Sequence, residues 1–216
     1  MRTARSSRAK TSPAVVSEER SEQRRAQILD AAYRVFSTKG YRDTTIADVA
    51  AELGMGHGTF YRYFTNKYDI FQQVLGTALM RVAKIIASED ASAANTVDEY
   101  RAQVERVGAN LLALLDADPA IPRLLFYEAM GISPELDEHI QRSWELAGQV
   151  TEAYLVNGKQ KGFLRADLDT HVVSLAINAL IFEGGRRVLR AKDRAEAKQR
   201  WLASLTALIF DGISRA

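Results

Sequence analysis

The chain has 216 residues, of which 47% are hydrophobic, and it carries a formal net charge of +2. This is enough apolar material for a substantial core, whereas so small a net charge does not by itself indicate a nucleic-acid partner. The lack of cysteine excludes disulfides and thiolate zinc sites, and no apolar run approaches the ~20 residues that would cross a bilayer.

The residue types favour helices over strands. Only four prolines interrupt a chain rich in Ala, Leu, Arg and Glu, which predicts an all-α fold of about nine helices. The basic start of the chain lacks the continuous apolar region of a secretory signal, and the absence of cysteine suits a reducing compartment. We therefore expect a soluble, cytoplasmic protein without a membrane association.

Residues 1–19 are predicted to form a flexible basic N-terminal arm. They are rich in Ser, Ala, Arg and Thr, and four basic residues occur before the first acidic one: Arg2, Arg5, Arg8 and Lys10. Two interpretations remain open. The arm either reaches phosphates or the minor groove of DNA, or it is only a solvated tail.

The first predicted helix covers Ser21 to Lys39. Its apolar residues recur at a spacing of about 3.6 and would form one buried face: Ile28, Leu29, Ala32, Val35 and Phe36. Gly40 follows the last turn, where glycine often ends a helix.

Two short helices joined by a turn are predicted next. In the first, Ile46, Val49, Ala50 and Leu53 share one face, and the N-cap is Thr44 or Thr45. Gly54 then takes the position that needs positive φ. The second helix, Gly56 to Phe64, buries Phe60 and Phe64, and the pair has the pattern of a helix-turn-helix motif.

This region resembles the DNA-binding half of a TetR-family (TetR/AcrR) transcriptional regulator, from about Arg24 to Leu75. The matching residues are Gly40-Tyr41, Thr44-Thr45-Ile46, Ala47-Asp48-Val49-Ala50, Gly54, Gly58-Thr59-Phe60-Tyr61, Tyr63-Phe64 and Lys67. The resemblance implies phosphate contacts from Thr45, Tyr61, Tyr63 and Lys67, and groove contacts from His57, Gly58, Thr59 and Arg62. Arg62 could pair with guanine or with a phosphate, and Tyr61 and Tyr63 could instead be core aromatics.

The rest of the chain is predicted to form further helices separated by polar loops. Their predicted ranges are about 66–88, 96–115, 123–130, 134–161, 170–189 and 195–214. Ser133 is the expected N-cap of the helix that starts at Pro134, and Asp167 or Asp169 that of the helix starting at Thr170. Gly162 is the expected stop after Lys161.

The last two predicted helices are candidates for an interface between two copies of the chain. The first is apolar nearly all round between Val172 and Phe182, so it needs cover on more than one side. A four-helix homodimer interface, which the family resemblance also implies, would provide that cover. An ordinary intrachain core is the alternative.

A ligand pocket is expected in the same C-terminal part. The candidate lining is an apolar and aromatic set with few polar groups: Leu124, Leu125, Phe126, Tyr127, Met130, Trp144, Tyr154 and Phe182. It would suit a hydrophobic small-molecule effector. Simple core packing is the alternative interpretation for each of these residues.

We therefore predict three regions: an arm (1–19), a three-helix DNA-binding domain (20–67), and a ligand-binding and dimerisation domain (68–216). A homodimer would bind double-stranded DNA at a palindromic operator, and a hydrophobic small molecule would release it; that it represses transcription is implied by the resemblance alone. No catalytic residue, cofactor or metal site is predicted, since the chain has no G-x-S-x-G, Walker A or H-E-x-x-H motif. A small helical enzyme and a non-regulatory DNA-binding or small-molecule-binding module are the rival functions.

Overall fold

The computed structural model describes residues 13–213, which form nine α-helices, one π-helical turn and no strand. The predicted all-α fold class is therefore confirmed. The α-helices are α1 (Pro13–Lys39), α2 (Ile46–Glu52), α3 (His57–Phe60), α4 (Lys67–Ile86), α5 (Val97–Ala117), α6 (Ala120–Arg123), α7 (Pro134–Gln160), α8 (Thr170–Arg190) and α9 (Arg194–Ile213). The chain divides into two compact units, Met1–Val74 and Leu75–Ala216.

The first helix begins earlier than the sequence pattern predicts. It starts at Pro13 rather than Ser21, so part of the expected arm is helical, while residues 1–12 of that arm lie outside the described residues. No glycine or proline occurs between Ala14 and Lys39 to stop the helix, and a proline is well tolerated in a first turn. The predicted stop is confirmed, since Gly40 has a φ of 85°.

The core of the first unit contains the apolar face predicted for α1. Ile28, Ala32 and Phe36 are fully buried, whereas Leu29 stays partly exposed. The ring of Phe36 meets that of Phe71 edge to face, with their centroids 5.0 Å apart. This packing holds α1 and the start of α4 together and supports the two short helices between them.

Helix caps in the second unit follow the sequence pattern closely. Thr96 caps α5, Ser133 caps α7, and Asp169 rather than Asp167 caps α8, each accepting a bond from a backbone amide three residues on. Gly162 has a φ of 78° and ends α7 just after Gln160. Within the described residues, no helix combines the length and the apolar character that a bilayer crossing requires.

The segment before α7 differs from its prediction. A single helix was expected over 123–130, but α6 ends at Arg123 and a π-helical turn, Leu124–Glu128, follows. The amide of Ala129 donates to the carbonyl oxygen of Leu124 at 3.1 Å, which is the wider π-type bond. The helix starts early because Pro122 lies in the first turn of α6, where an amide hydrogen is not needed.

Other helix ends also move by one or two residues. Helix α4 ends at Ile86 instead of residue 88, α5 continues to Ala117 beyond residue 115, and α8 reaches Arg190. Such shifts are ordinary fraying or extension of a last turn.

Candidate nucleic-acid interface and ligand cavity

Lys67 closes the turn that leads from α1 to α2. Its Nζ donates to the carbonyl oxygens of Tyr41 at 2.9 Å and Arg42 at 3.3 Å, and it lies 4.4 Å from the centre of the Tyr41 ring. The ammonium group thus satisfies two backbone acceptors and makes a cation–π contact. This internal role of Lys67 was not predicted from the sequence.

A reciprocal cap starts α2. The hydroxyl oxygen of Thr45 accepts from the Asp48 amide at 3.3 Å, and Asp48 Oδ2 accepts from the Thr45 amide at 2.8 Å. Lys39 Nζ lies 2.5 Å from the other carboxylate oxygen of Asp48. The bond from Lys39, followed by those from the amide and hydroxyl of Thr45, lowers the pKa of Asp48 to about 2. Thr45, and not Thr44, is the N-cap.

The turn after α2 has the geometry expected for a helix-turn-helix. Gly54 has a φ of 59°, and the amide of Met55 donates to the carbonyl oxygen of Ala50 at 2.9 Å. Together with the bond from the Gly54 amide to the Ala51 carbonyl oxygen at 3.0 Å, this bond forms a Schellman motif, which ends the helix and reverses the chain. The glycine is required here because its φ is unfavourable for other residues.

Helix α3 is shorter than predicted. It ends at Phe60 instead of Phe64, and the chain continues in a tighter helical turn in which the Tyr63 amide donates to the Phe60 carbonyl oxygen at 2.9 Å. Phe60 and Phe64 are both buried, as predicted. Burying both rings brings this segment against the core and leaves its polar face outward.

The outward face contains most of the predicted groove contacts. His57, Gly58 and Arg62 are exposed, Thr59 is half-buried, and Tyr61 is 56% exposed. A Cβ added at Gly58 would meet nothing within 4 Å, so no internal contact demands a glycine there. These residues, with the exposed Thr45 and the half-buried Tyr63, form one candidate interface.

An apolar cavity of about 200 Å³ lies within the second unit. Residues of α4, α5, α7, α8, α9 and the π-helical turn line it, including Leu111, Leu115, Phe126, Trp144, Phe182 and Leu205. The Phe182 ring is met edge-on by both Phe126 and Trp144, with centroids 4.7 and 4.8 Å apart. Such a wall favours an apolar ligand.

The predicted pocket residues do not all reach this cavity. Leu125, Phe126, Trp144, Tyr154 and Phe182 line it. Of the other three, Leu124 is fully buried outside the lining, Tyr127 lies on the surface under the guanidinium of Arg190, and Met130 is 57% exposed. The π-helical turn changes the direction of successive side chains, which explains why the 124–130 segment divides between core, cavity and surface.

Sequence reasoning missed several polar groups of the cavity wall. Thr151, Asn178 and Trp201 line it, and the Thr151 hydroxyl donates to Asn178 Oδ1 at 3.0 Å. Asn178 was recognisable, because it is the one polar residue between Leu175 and Phe182. The position of Trp201 opposite Gly184 depends on tertiary packing.

Comparisons with known proteins agree with this architecture. A family described as "Bacterial regulatory proteins, tetR family" matches residues 28–74. The chain is 28% identical over 161 residues to a fatty acid metabolism regulator protein of Bacillus subtilis, covering 73% of this chain and 79% of that protein. The regulator YfiR of the same organism is 39% identical, but over 64 residues that cover 30% of this chain and 31% of YfiR.

A solved structure extends the likeness of fold to nearly the whole chain. It is a transcriptional regulator from Saccharomonospora viridis in complex with choline, with a TM-score of 0.73 and 22% identity. The superposition covers 90% of this chain and 100% of that one. The similarity in sequence is thus strongest in the N-terminal unit, whereas the similarity in fold includes both.

Proposed function

We propose that the chain is a transcriptional regulator of the TetR family that binds a palindromic operator as a homodimer and represses transcription until a small apolar effector releases it. The family match over residues 28–74 and the likeness to a fatty acid metabolism regulator protein support this proposal. The observation that carries the proposal is the exposed polar face around His57, Gly58 and Arg62, presented by a buried helix-turn-helix core. A bacterial regulator of this kind works in the cytoplasm, where the chromosome lies.

The DNA contacts divide into two sets. Thr45, Tyr61 and Tyr63 are the proposed phosphate contacts, and His57, Thr59 and Arg62 enter the major groove. Gly58 lets a sugar-phosphate strand or base edge approach the backbone, because its Cα has open space in front of it. Lys67 contributes positive charge near this surface while its Nζ holds the turn at Tyr41.

The proposed dimer forms through α8 and α9. Val172 is 56%, Leu175 40% and Leu208 60% exposed, although all three are large apolar side chains. On α8 the exposed residues Val172, Leu175, Ala176 and Ala179 recur with helical spacing, and on α9 Ala207 lies beside Leu208. Small residues on such a face let two helices approach closely, so a second copy of these helices is the natural cover.

Two copies of the chain are needed for sequence specificity, because one short recognition helix, here α3 and the turn after it, covers only a few base pairs. A two-fold dimer presents two helices to successive major grooves about 34–36 Å apart, or somewhat more, on one side of the duplex. An effector that binds the DNA-incompetent dimer about 100-fold more tightly shifts the equilibrium by roughly 2.7 kcal/mol. The 200 Å³ cavity of the second unit is the proposed effector site.

The test uses the full chain and a random duplex library. Repeated selection should enrich a palindrome, and binding to it should weaken steeply as salt rises because phosphate contacts release counterions. Failure to enrich any duplex would refute the DNA-binding function. Turnover of a substrate without DNA binding would instead favour the rival interpretation, a small helical enzyme.

A further inference from the structure

The indole nitrogen of Trp201 is a buried donor without an acceptor. Nε1 is shielded from solvent and has no hydrogen-bond partner among the described residues. It lies directly against Gly184, since a Cβ added to that glycine would be 1.9 Å from Nε1. Both residues line the apolar cavity. An indole N–H can donate but cannot accept, so only an acceptor can satisfy it.

Asn178 supplies a second unpaired group in the same wall. Its Oδ1 accepts from the Thr151 hydroxyl at 3.0 Å, and its Nδ2 is buried without a partner in the described part of the chain. Thr151 has one hydroxyl proton and a second acceptor, the Ala147 carbonyl oxygen, at 3.1 Å. Only one end of the Asn178 amide can pair with Thr151, so the other end has no partner among the described residues.

Unpaired buried donors are uncommon in folded proteins because each costs free energy comparable to a lost hydrogen bond. The unpaired Trp201 donor in the cavity wall therefore points to an occupant with an oxygen acceptor, and the Asn178 amide marks a second polar point on the same wall. The wall is mostly apolar, so this acceptor is carried on a hydrophobic body.

The charges around the cavity restrict the ligand further. Among the described residues that line it there is no carboxylate, and the one charged side chain is Lys198, whose Nζ lies 2.6 Å from Asp116 Oδ2. A cation would find aromatic rings but no counter-ion, while a carboxylate would have to compete with Asp116 for Lys198. A neutral acceptor avoids both costs.

We propose that the effector is a neutral, compact molecule with an apolar body and a carbonyl oxygen that accepts a hydrogen bond from Trp201 Nε1. A cavity of ~150 Å³ holds benzene, so the 200 Å³ cavity suits roughly eight non-hydrogen atoms. This inference rests on the proposed effector-sensing function and adds the chemical class of the ligand.

Two probes of nearly the same shape test the inference. Acetophenone has a carbonyl oxygen where α-methylstyrene has a methylene group, so the two differ mainly in the acceptor. Titration calorimetry on the full chain should show acetophenone binding about tenfold more tightly, as expected for a net gain of one hydrogen bond. In ¹H–¹⁵N spectra, the Trp201 indole signal should move with acetophenone and much less with α-methylstyrene.

Substitutions test whether Trp201 is the donor that causes the preference for acetophenone over α-methylstyrene. Trp201→Phe should remove most of the tenfold preference while α-methylstyrene still binds. Trp144→Phe is the matched control, because it trims another cavity indole and should leave the preference unchanged. If Trp201→Phe does not fold, the indole signal of the unsubstituted chain still decides the matter.

Equal affinity for the two probes, tighter binding of phenyltrimethylammonium, or no binding of any probe would each overturn the inference. Operator binding is measured separately on the same preparation without probes. Loss of that activity would refute the proposed regulator, whereas a missing carbonyl preference in a chain that binds DNA would refute only the ligand class.

Discussion

Lys67 and Tyr41 are joined twice, by a hydrogen bond of 2.9 Å from Nζ to the Tyr41 carbonyl oxygen and by a cation–π contact of 4.4 Å. The family resemblance implies that Lys67 contacts phosphate, yet the structure also gives it a role inside its own unit. Under the proposed function, this single side chain both stabilises the α1–α2 turn and supplies positive charge near the DNA.

Lys67→Met should lower the free energy of unfolding by about 1 kcal/mol, because the aliphatic stem remains while the charged hydrogen bonds and the ring contact are lost. Chemical denaturation followed by circular dichroism measures this change. Arg42→Met is the control, since Arg42 is exposed and should leave the unfolding free energy unchanged. Equal stability of Lys67→Met and the unsubstituted chain would contradict the internal role.

Asp48 should make the stability of the first unit depend on acid pH. Its pKa is about 2 in the folded chain and about 3.9 in an unfolded one. The ionised form is thus favoured by folding, so its contribution is fully present above about pH 4 and is lost as the pH falls towards 2. Asp48→Asn lacks this titration.

The unfolding free energies of the two proteins should therefore differ at neutral pH and converge between pH 4 and pH 2, as measured by urea denaturation across that range. A difference that stays constant down to pH 2 would show that the bonds from Lys39 and Thr45 do not favour the carboxylate.

Arg62→Ala should weaken operator binding roughly 10- to 100-fold without changing stability, because in the proposed complex the exposed guanidinium contacts either a base or a phosphate. Fluorescence anisotropy at several salt concentrations separates the two cases. If a base contact is lost, affinity falls for the operator only. If a phosphate contact is lost, affinity falls for random duplex as well, and the slope of log affinity against log salt concentration decreases by about one.

The matched control is Arg142→Ala, which removes an exposed arginine from α7 and its surface pair with Glu138. It should bind the operator normally. If both Arg62→Ala and Tyr61→Ala bound the operator with undiminished affinity, the proposed DNA interface would be contradicted.

Gly58→Ala should reduce operator affinity about tenfold while leaving the fold as stable as before, since the added Cβ meets no atom of the chain but would meet DNA. Gly76→Ala is the control, because that glycine in α4 also has open space around it. Gel-shift titration and thermal unfolding measure the two properties. Normal DNA binding by Gly58→Ala would contradict a close approach at this position.

Leu208→Glu should convert a dimer into monomers by placing a charge on the apolar face of α9. Sedimentation velocity measures the change, and operator affinity should fall with it. Met80→Glu alters an equally exposed apolar residue on α4 and should leave the dimer intact. A dimer that survives Leu208→Glu, Leu175→Glu and their combination would place the interface elsewhere.

Local signals made much of this fold predictable. Thr45, Ser133 and Asp169 cap helices because a side-chain oxygen at that position satisfies a free amide, and this depends only on neighbouring residues. Gly54 and Gly162 stop helices for an equally local reason. The spacing of apolar residues likewise predicted the buried face of α1 and the burial of Phe60 and Phe64.

Features that depend on distant contacts were not predictable in the same way. The π-helical turn Leu124–Glu128 has no distinct sequence signal, so the cavity lining was predicted only in part. The bond from Lys67 to Tyr41 spans a long stretch of chain, and the isolation of Trp201 Nε1 arises from its packing on Gly184. Propensity and spacing describe neighbours along a helix, whereas these contacts are set by how helices meet.

The most direct test of the account measures how many protein chains bind to one DNA duplex. Sedimentation equilibrium of the full chain with a duplex enriched from the random library should give two chains per palindrome, with half-site centres about one helical turn or slightly more apart. Halving the palindrome should greatly weaken binding. A monomer that binds no duplex more tightly than any other, at low or high salt, would contradict the account.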